Sequence, residues 1–336
     1  MKYSNKKLSI VLIGAGSMGV RWAEAIARHP RTSLSGVMDT DSDKAEALAS
    51  QYGVPTFASL KDIPHSSAVL AACIAIPPAF SAEIIYAALA VGLHVIAEKP
   101  LAKNAEELRK SVLLAQRKKL TFMAGYNYRH FPHIRKAHEL VEKGEIGSVM
   151  FIRARHGASG RPGYEHDWRH RKSLSGGGVL IDQAVHTIDL ARWFLGEPKK
   201  IRGTLTTNFW KSGVEDNAFV HLETASRQIA SLHASWTEWK PKFSFEIFGT
   251  EGYIIAEGIS QYRQEERLII AKRPADFLGS HVKEKTITFS KSKPKNSLAD
   301  ELTEFVSAIR ESRVPHPSGQ DALEILKIID HIYKQS

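Results

Sequence analysis

Between residue 8 and about residue 127, short apolar runs alternate with amphipathic helical stretches, and this rhythm restricts the fold more than any other feature of the chain. The runs LSIVLIG, SLSGVMD, AVLAACIAI, LHVIAE and LTFMAGYN are separated by helical patterns at Ser17–Pro30, after Asp41, at Ala79–Gly92 and at Asn104–Lys119. Consecutive parallel strands need a crossover, and a helix is the usual one, so the alternation predicts a doubly wound α/β domain around a parallel sheet. Asn104 is the expected N-cap of the fourth helix, and Asp41 that of the second.

Beyond residue 128 the rhythm changes. A helix is expected in FPHIRKAHELVEKGEIG and another in GGGVLIDQAVHTIDLARWFLG, residues 176–196. From residue 199 to 289 strand-like segments follow one another across turns such as GTEG. Strands without intervening helices argue an antiparallel sheet, so the second part reads as α+β. Helical patterns near 298–312 and 320–334 close the chain. Two domains suit 336 residues. The expected boundary places 1–127 in the first and 128–336 in the second, the latter for substrate binding and oligomerisation.

A hydrophobic share of 43% with 24% charged residues permits a packed core. The single cysteine, Cys73, lies in an apolar run and reads as a buried hydrophobe, which fits a reducing cytoplasm. The N-terminal apolar stretch is short and runs into glycines, so it reads as a strand, not a signal peptide or membrane span. A net charge of +10 raises the question of nucleic acid, but acidic residues lie between the basic ones along the chain. Neither zinc-finger spacing nor an RNA-binding aromatic signature is present. No nucleic acid, membrane or metal is expected.

In IVLIGAGSMGVRW, Gly14, Gly16 and Gly19 follow a strand and open a helix with GxGxxG spacing. Glycines there permit a tight turn and close approach of backbone to a pyrophosphate, while the helix N-terminus supplies amides and positive dipole. Asp39 ends the next strand, where a carboxylate accepts hydrogen bonds from ribose hydroxyls and repels a 2′-phosphate. NAD is therefore expected over NADP, on a Rossmann-type domain with Gly14, Gly16, Ser17, Met18, Gly19 and Asp39 as contacts.

Glu98, Lys99 and Pro100 follow another apolar strand, in HVIAEKPLAKN. Ligands of open parallel sheets sit beyond the carboxyl ends of strands, which places Lys99 where chemistry is expected. The helix of residues 176–196 raises a separate question, because Asp182 and His186 interrupt its apolar residues. Residues four apart share a helix face with Cβ atoms about 5–6 Å apart, so the two can address one ligand.

Taken in order, GAGSMG, Asp39, IPPAFSAEI, EKPLA, AGYNYR and GGGVLIDQAVHTIDLARWFLG resemble the glucose-fructose oxidoreductase, inositol dehydrogenase and MocA (Gfo/Idh/MocA) family over nearly the whole chain. The resemblance implies a nicotinamide-dependent oxidoreductase acting on the CH–OH group of a sugar, cyclitol or related polyol. It implies catalytic roles for Lys99, Asp182 and His186, cofactor contacts at Ile76, Pro77, Glu98 and Lys99, and a cis bond before Pro100. Where the family usually has threonine, histidine and glycine, this chain has Ile76, Ser81 and Ala184.

Alcohol oxidation needs a base near neutrality and a group that stabilises developing alkoxide charge. His186 is assigned as the base, Lys99 as the cation, and Asp182 as the holder of a neighbouring hydroxyl. Asp189 is placed either to tune His186 or to bond backbone, and Trp193 in the core. Trp236 and Trp239 are read as sheet packing. Asn127, Arg129 and Arg155 are candidate substrate contacts. Arg153, Arg155, Arg161, Arg169, Arg171 and Lys172 flank the loop before the Asp182 helix and predict an anionic sugar as the better substrate. The resemblance further implies a homodimer or homotetramer. A second class of function, a dinucleotide- and ligand-binding sensor without turnover, shares the same architecture.

Overall fold

The computed structural model describes residues 6–63, 70–289 and 297–335. In chain order its elements begin β1 Leu8–Ile13, α1 Ser17–Arg28, β2 Thr32–Met38, α2 Ser42–Tyr52, β3 Ala71–Ile74, α3 Pro78–Ala90, β4 His94–Glu98, α4 Ala105–Lys118 and β5 Phe122–Gly125. They continue with α5 Pro132–Glu142, β6 Val149–Ser159, α6 Lys172–Ser175, α7 Val185–Leu195, β7 Pro198–Thr206, β8 Asn217–Thr224, β9 Ile229–Ser235, β10 Thr237–Gly249 and β11 Gly252–Glu257. β12 Glu266–Lys272, β13 Glu284–Phe289, α8 Ser297–Glu311 and α9 Gly319–Tyr333 complete the chain. Among the described residues, no helix is long and apolar enough to cross a membrane.

The first sheet has the order β2-β1-β3-β4-β5 and is parallel throughout. β1, β3, β4 and β5 are buried almost end to end because helices cover both faces, which is why their sequences are continuous apolar runs. The chain leaves β1 toward β2 on one side and reaches β3 on the other, so the carboxyl end of β1 is the topological switch point. Both expected caps form: Asp41 accepts from the Lys44 amide, and Asn104 from the Glu107 amide.

The second sheet has the order β13-β12-β11-β10-β6-β9-β8-β7. All its pairings are antiparallel except β6 with β9, so the sheet is mixed. Alternate residues of β6 separate its faces: Ile152, Ala154 and His156 are buried, while Arg153 and Arg155 are exposed. α5 and α7 cover the buried face.

The chain divides into two units, one of Met1–Asn127 with Lys295–Lys327 and one of Tyr128–Pro294 with Ile328–Ser336. The expected inclusion of all of 128–336 in the second domain is thereby corrected. Leu298, Leu302, Phe305, Val306 and Ile309 of α8 bury their apolar stripe in the same cluster as Trp22, Ile26 and Leu12 of the first unit. Each such side chain contributes roughly 1.5–3 kcal/mol by leaving water, so α8 completes the first core.

Candidate active site

In the first unit, Gly14 lies directly after β1 at φ +104°, and a Cβ there would stand 2.4 Å from the Ala75 carbonyl oxygen. A Cβ on Gly19 would stand 1.9 Å from the Gly14 carbonyl oxygen. These two glycines let α1 and the turn close on each other. Gly16 differs: a Cβ there meets nothing within 4 Å. It is the N-cap of α1, it makes no side-chain cap, and the first turn carries no acidic residue. Open space in front of uncapped helix amides fits the pyrophosphate of a dinucleotide.

Asp39 stands beside this turn. One carboxylate oxygen accepts from the Ala15 amide at 2.6 Å and the other from the Asp41 amide at 2.9 Å. A carboxylate oxygen can accept twice, so a ribose diol can still be taken. At the end of β4, Glu98 accepts from the Trp22 indole at 2.7 Å, and the Lys99–Pro100 bond is cis. Burial raises the Glu98 acid, against the indole bond and the positive charges of Lys99 and Arg21.

In the second unit, Asp182 lies in a π turn, Leu180–Ala184, that leads into α7, and His186 occupies the first turn of α7. The preceding glycines belong to a tight turn, so the helix starts later than expected. Glu215 holds that turn: one carboxylate oxygen accepts from the Gly178 amide (3.0 Å), the Leu180 amide (3.0 Å) and the Tyr333 hydroxyl (2.8 Å). A Cβ on Gly178 would stand 2.0 Å from the Glu215 carbonyl oxygen, and one on Gly177 1.8 Å from the Tyr333 hydroxyl. The Gly178 carbonyl in turn accepts from the Asp182 amide at 3.0 Å. A short chain of hydrogen bonds thus fixes the residue expected to orient substrate.

His186 is 4% exposed, and its ring stacks on Tyr128 with centroids 3.9 Å apart and planes 7° apart. The Tyr128 hydroxyl lies 3.0 Å from His156 Nε2, and His156 Nδ1 lies 3.3 Å from the Gln183 carbonyl oxygen. Arg169 Nε stands 3.7 Å from an Asp182 carboxylate oxygen. Burial, and secondly the negative charge of Asp182, push the Tyr164 phenol up and that of Tyr262 to about 12. The Asp182 carboxylate therefore stands in a surround of neutral phenols and one guanidinium, suited to hydroxyl recognition.

A model of the oxidoreductase family with the NAD-binding Rossmann fold matches residues 8–126, and a model of the GFO/IDH/MocA C-terminal domain matches residues 134–255. The chain belongs to the GFO/IDH/MocA oxidoreductase family. It is 28% identical over 312 residues to a levoglucosan dehydrogenase of Pseudarthrobacter phenanthrenivorans, covering 82% of this chain and 79% of that one. It is 26% identical over 325 residues to an inositol 2-dehydrogenase of Rhizobium meliloti, covering 95% and 94%. A levoglucosan dehydrogenase structure in complex with NADH and L-sorbose superposes with a TM-score of 0.89 at 25% identity, covering 98% of this chain and 96% of that one. These relatives are sugar and cyclitol dehydrogenases, and the chain is a nicotinamide-dependent oxidoreductase of CH–OH groups.

Against this family frame, several expected contacts move. Arg155 is on the sheet face opposite His156, exposed and held by both oxygens of Glu238, each at 2.5 Å. It is not part of the Asp182–His186 cluster, because residues one apart on a strand face opposite ways. Arg129 is buried and gives two hydrogen bonds, 2.8 and 2.6 Å, to Asp189. That pair fixes the segment carrying Tyr128 to α7, so Asp189 serves as the carboxylate partner of Arg129. Asn127 donates to the Ser297 hydroxyl at 3.3 Å in the first unit. Ser81, standing where the family usually has histidine, is buried with no partner among the described residues.

Three more of the basic residues before α7 are paired with carboxylates. Arg153 pairs with Glu246, while Arg161 and Arg169 pair with Asp167. Burial would raise Asp167, but hydrogen bonds and charge from Arg169 hold it below the usual carboxylate range. Tyr128, His156, Glu215 and Tyr333 were not anticipated. His156 had a readable signal, since it alternates with Arg153 and Arg155 on one strand; the contacts of Glu215 and Tyr333 span 37 and 118 residues, and no local pattern shows them.

Proposed function

We propose that this chain oxidises a secondary alcohol of a neutral sugar or cyclitol, or reduces the matching ketone, with NAD in preference to NADP. The observation that carries this reading is the buried turn that presents Asp182 and His186 together, in a chain whose relatives act on sugars and cyclitols. When bound, NAD supplies the hydride acceptor. His186 takes the proton of the reacting hydroxyl, and Lys99 places positive charge beside the oxygen as it gains electron density. Asp182 accepts a hydrogen bond from a neighbouring hydroxyl. In reduction, His186 returns the proton to the oxygen.

Asp39 supports NAD, since a 2′-phosphate would meet its charge. Gly14, Gly16, Ser17, Met18, Gly19, Ile76 and Pro77 are the proposed cofactor contacts. The carboxylate partners of Arg153, Arg155, Arg161 and Arg169 support a neutral substrate over the anionic one. A homo-oligomer formed through the outer sheet face is favoured by the exposed Phe219 on β8, and a cytoplasmic site of action by the single, buried cysteine.

The test is a panel of neutral sugars and cyclitols with their phosphorylated or carboxylated derivatives, each with NAD and with NADP. Reduction of NAD by at least one neutral polyol, with kcat/KM above that of its anionic derivative, is expected. Turnover with NADP alone would overturn the Asp39 assignment, and no turnover with any polyol would overturn the reading as a whole.

A further inference from the structure

We propose that Tyr128 is a positioning residue for the proton transfer, acting as the flat surface that fixes the plane of the His186 imidazole. This rests on the reading of His186 as the base. Rotation of a histidine ring about its terminal sp³–sp² bond is soft, with broad minima, so helix geometry alone does not determine where its nitrogens point. A ring packed face to face at 3.9 Å and 7° can slide little and tip less.

The Tyr128 ring is itself held on several sides. Its hydroxyl meets His156 Nε2 at 3.0 Å, the Phe243 ring meets it edge-on at 5.5 Å, and Phe131 lies at 5.0 Å. Tyr128 is 1% exposed. His156 also reaches the Gln183 carbonyl, so one residue of β6 ties both the stacking surface and the π turn that carries Asp182. One residue along, Arg129 grips Asp189 on α7. The stacked pair 128 and 186 and the ion pair 129 and 189 therefore fix the same two segments twice. Stability alone does not require the stack, since the ion pair already joins the segments. The stack adds a defined ring plane, which a base needs to meet a hydroxyl in line.

The test compares Tyr128→Phe, which keeps the ring face, with Tyr128→Leu, which removes it, each alone and in a His186→Ala background. Leu is expected to lower kcat by roughly 10- to 100-fold, the scale set by a displacement near 1 Å of a reacting group. KM for the polyol and the affinity for NADH should change by less than about threefold, and Phe should recover at least about a third of parental kcat. In the His186→Ala background the Leu penalty should shrink to less than about threefold, as expected when two residues act through one contact. Equal kcat for the Leu variant and the parent, equal loss in Phe and Leu, or an undiminished penalty without His186 would each overturn the proposal. A His186→Ala variant as fast as the parent would instead overturn the assignment of the base.

A second readout needs no turnover. The His186 ring protons of the parent should resonate upfield under the Tyr128 ring current, keep that shift in the Phe variant and lose it in the Leu variant. Unshifted His186 resonances in the parent would overturn the stack even if no variant could be assayed.

Discussion

Both units carry a glycine-rich turn that leads into a functional helix, yet the two turns use glycine for opposite ends. In the first, Gly14 and Gly19 allow the turn and α1 to close on each other, while Gly16 faces open space in front of free helix amides. In the second, Gly177 and Gly178 are pressed against Tyr333 and Glu215, which close that helix entrance with protein groups. One turn leaves its amides for a ligand; the other spends them internally to hold Asp182 and His186. A cluster of glycines before a helix is therefore not by itself a phosphate site. What stands opposite the missing side chain decides.

The second turn and its helix depend on buried polar partners, and the largest expected effect follows from removing one. Arg129→Ala breaks a buried ion pair by removing the guanidinium that meets both oxygens of Asp189, which should cost about 3–5 kcal/mol. Urea denaturation followed by near-ultraviolet dichroism measures it, and a loss below about 1 kcal/mol would show that the ion pair does not hold α7. Next in size, Gly178→Ala forces the turn away from Glu215 and should lower kcat by roughly 100-fold, the effect of misplacing reacting groups by about 1 Å. Its NADH affinity should stay at the parental value in a fluorescence titration. Gly16→Ala should behave the other way round. Its added methyl finds room in the free protein, so Tm should hold, but it intrudes where the cofactor fits and should weaken NADH by about 10-fold, within the usual overpacking cost of 1–3 kcal/mol. If Gly16→Ala lowered Tm and left NADH affinity intact, the two turns would not differ as described.

The units also bury carboxyl groups in different ways, and this gives the smallest effect, one of pH. Asp189 is fully buried and paired with Arg129, whereas Glu301 on α8 is fully buried with neither oxygen hydrogen-bonded among the described residues. Burial first, and the charge of Glu98 second, push the Glu301 acid well above its ordinary value of 4.5. The folded state thus keeps a proton that the unfolded chain releases, and stability contributed by this group falls as pH rises above about 4.5. Glu301→Gln should therefore gain on the parent in denaturation midpoint as pH is raised from about 5 to 8. A constant difference across that range would contradict a neutral buried Glu301.

The first unit was largely legible because its signals are local. A strand, a glycine turn, a helix and an acid at the end of the next strand occur within Leu8–Asp39, and the five strands are unbroken apolar runs. α8 was readable as an amphipathic helix, but its apolar stripe does not say which core it enters, so the domain boundary was misplaced. In the second unit, the spacing of Asp182 and His186 was readable, whereas the π turn was not. Glu215 and Tyr333, which hold the entrance to that turn, come from distant segments. Strand alternation puts Arg153 and Arg155 on one face of β6 but does not say which face α7 covers, and the structure puts His156 on that face.

Proton handling by His186 and charge stabilisation by Lys99 are measured most directly by turnover of a neutral polyol by Lys99→Ala and His186→Ala alongside NADH binding by the same preparations. His186→Ala should bind NADH as the parent does, Lys99→Ala should still bind it, and each should turn over roughly 10²–10⁴ times more slowly, the range for acid–base and charge-stabilising groups. Full turnover in either variant would contradict the role given to that residue.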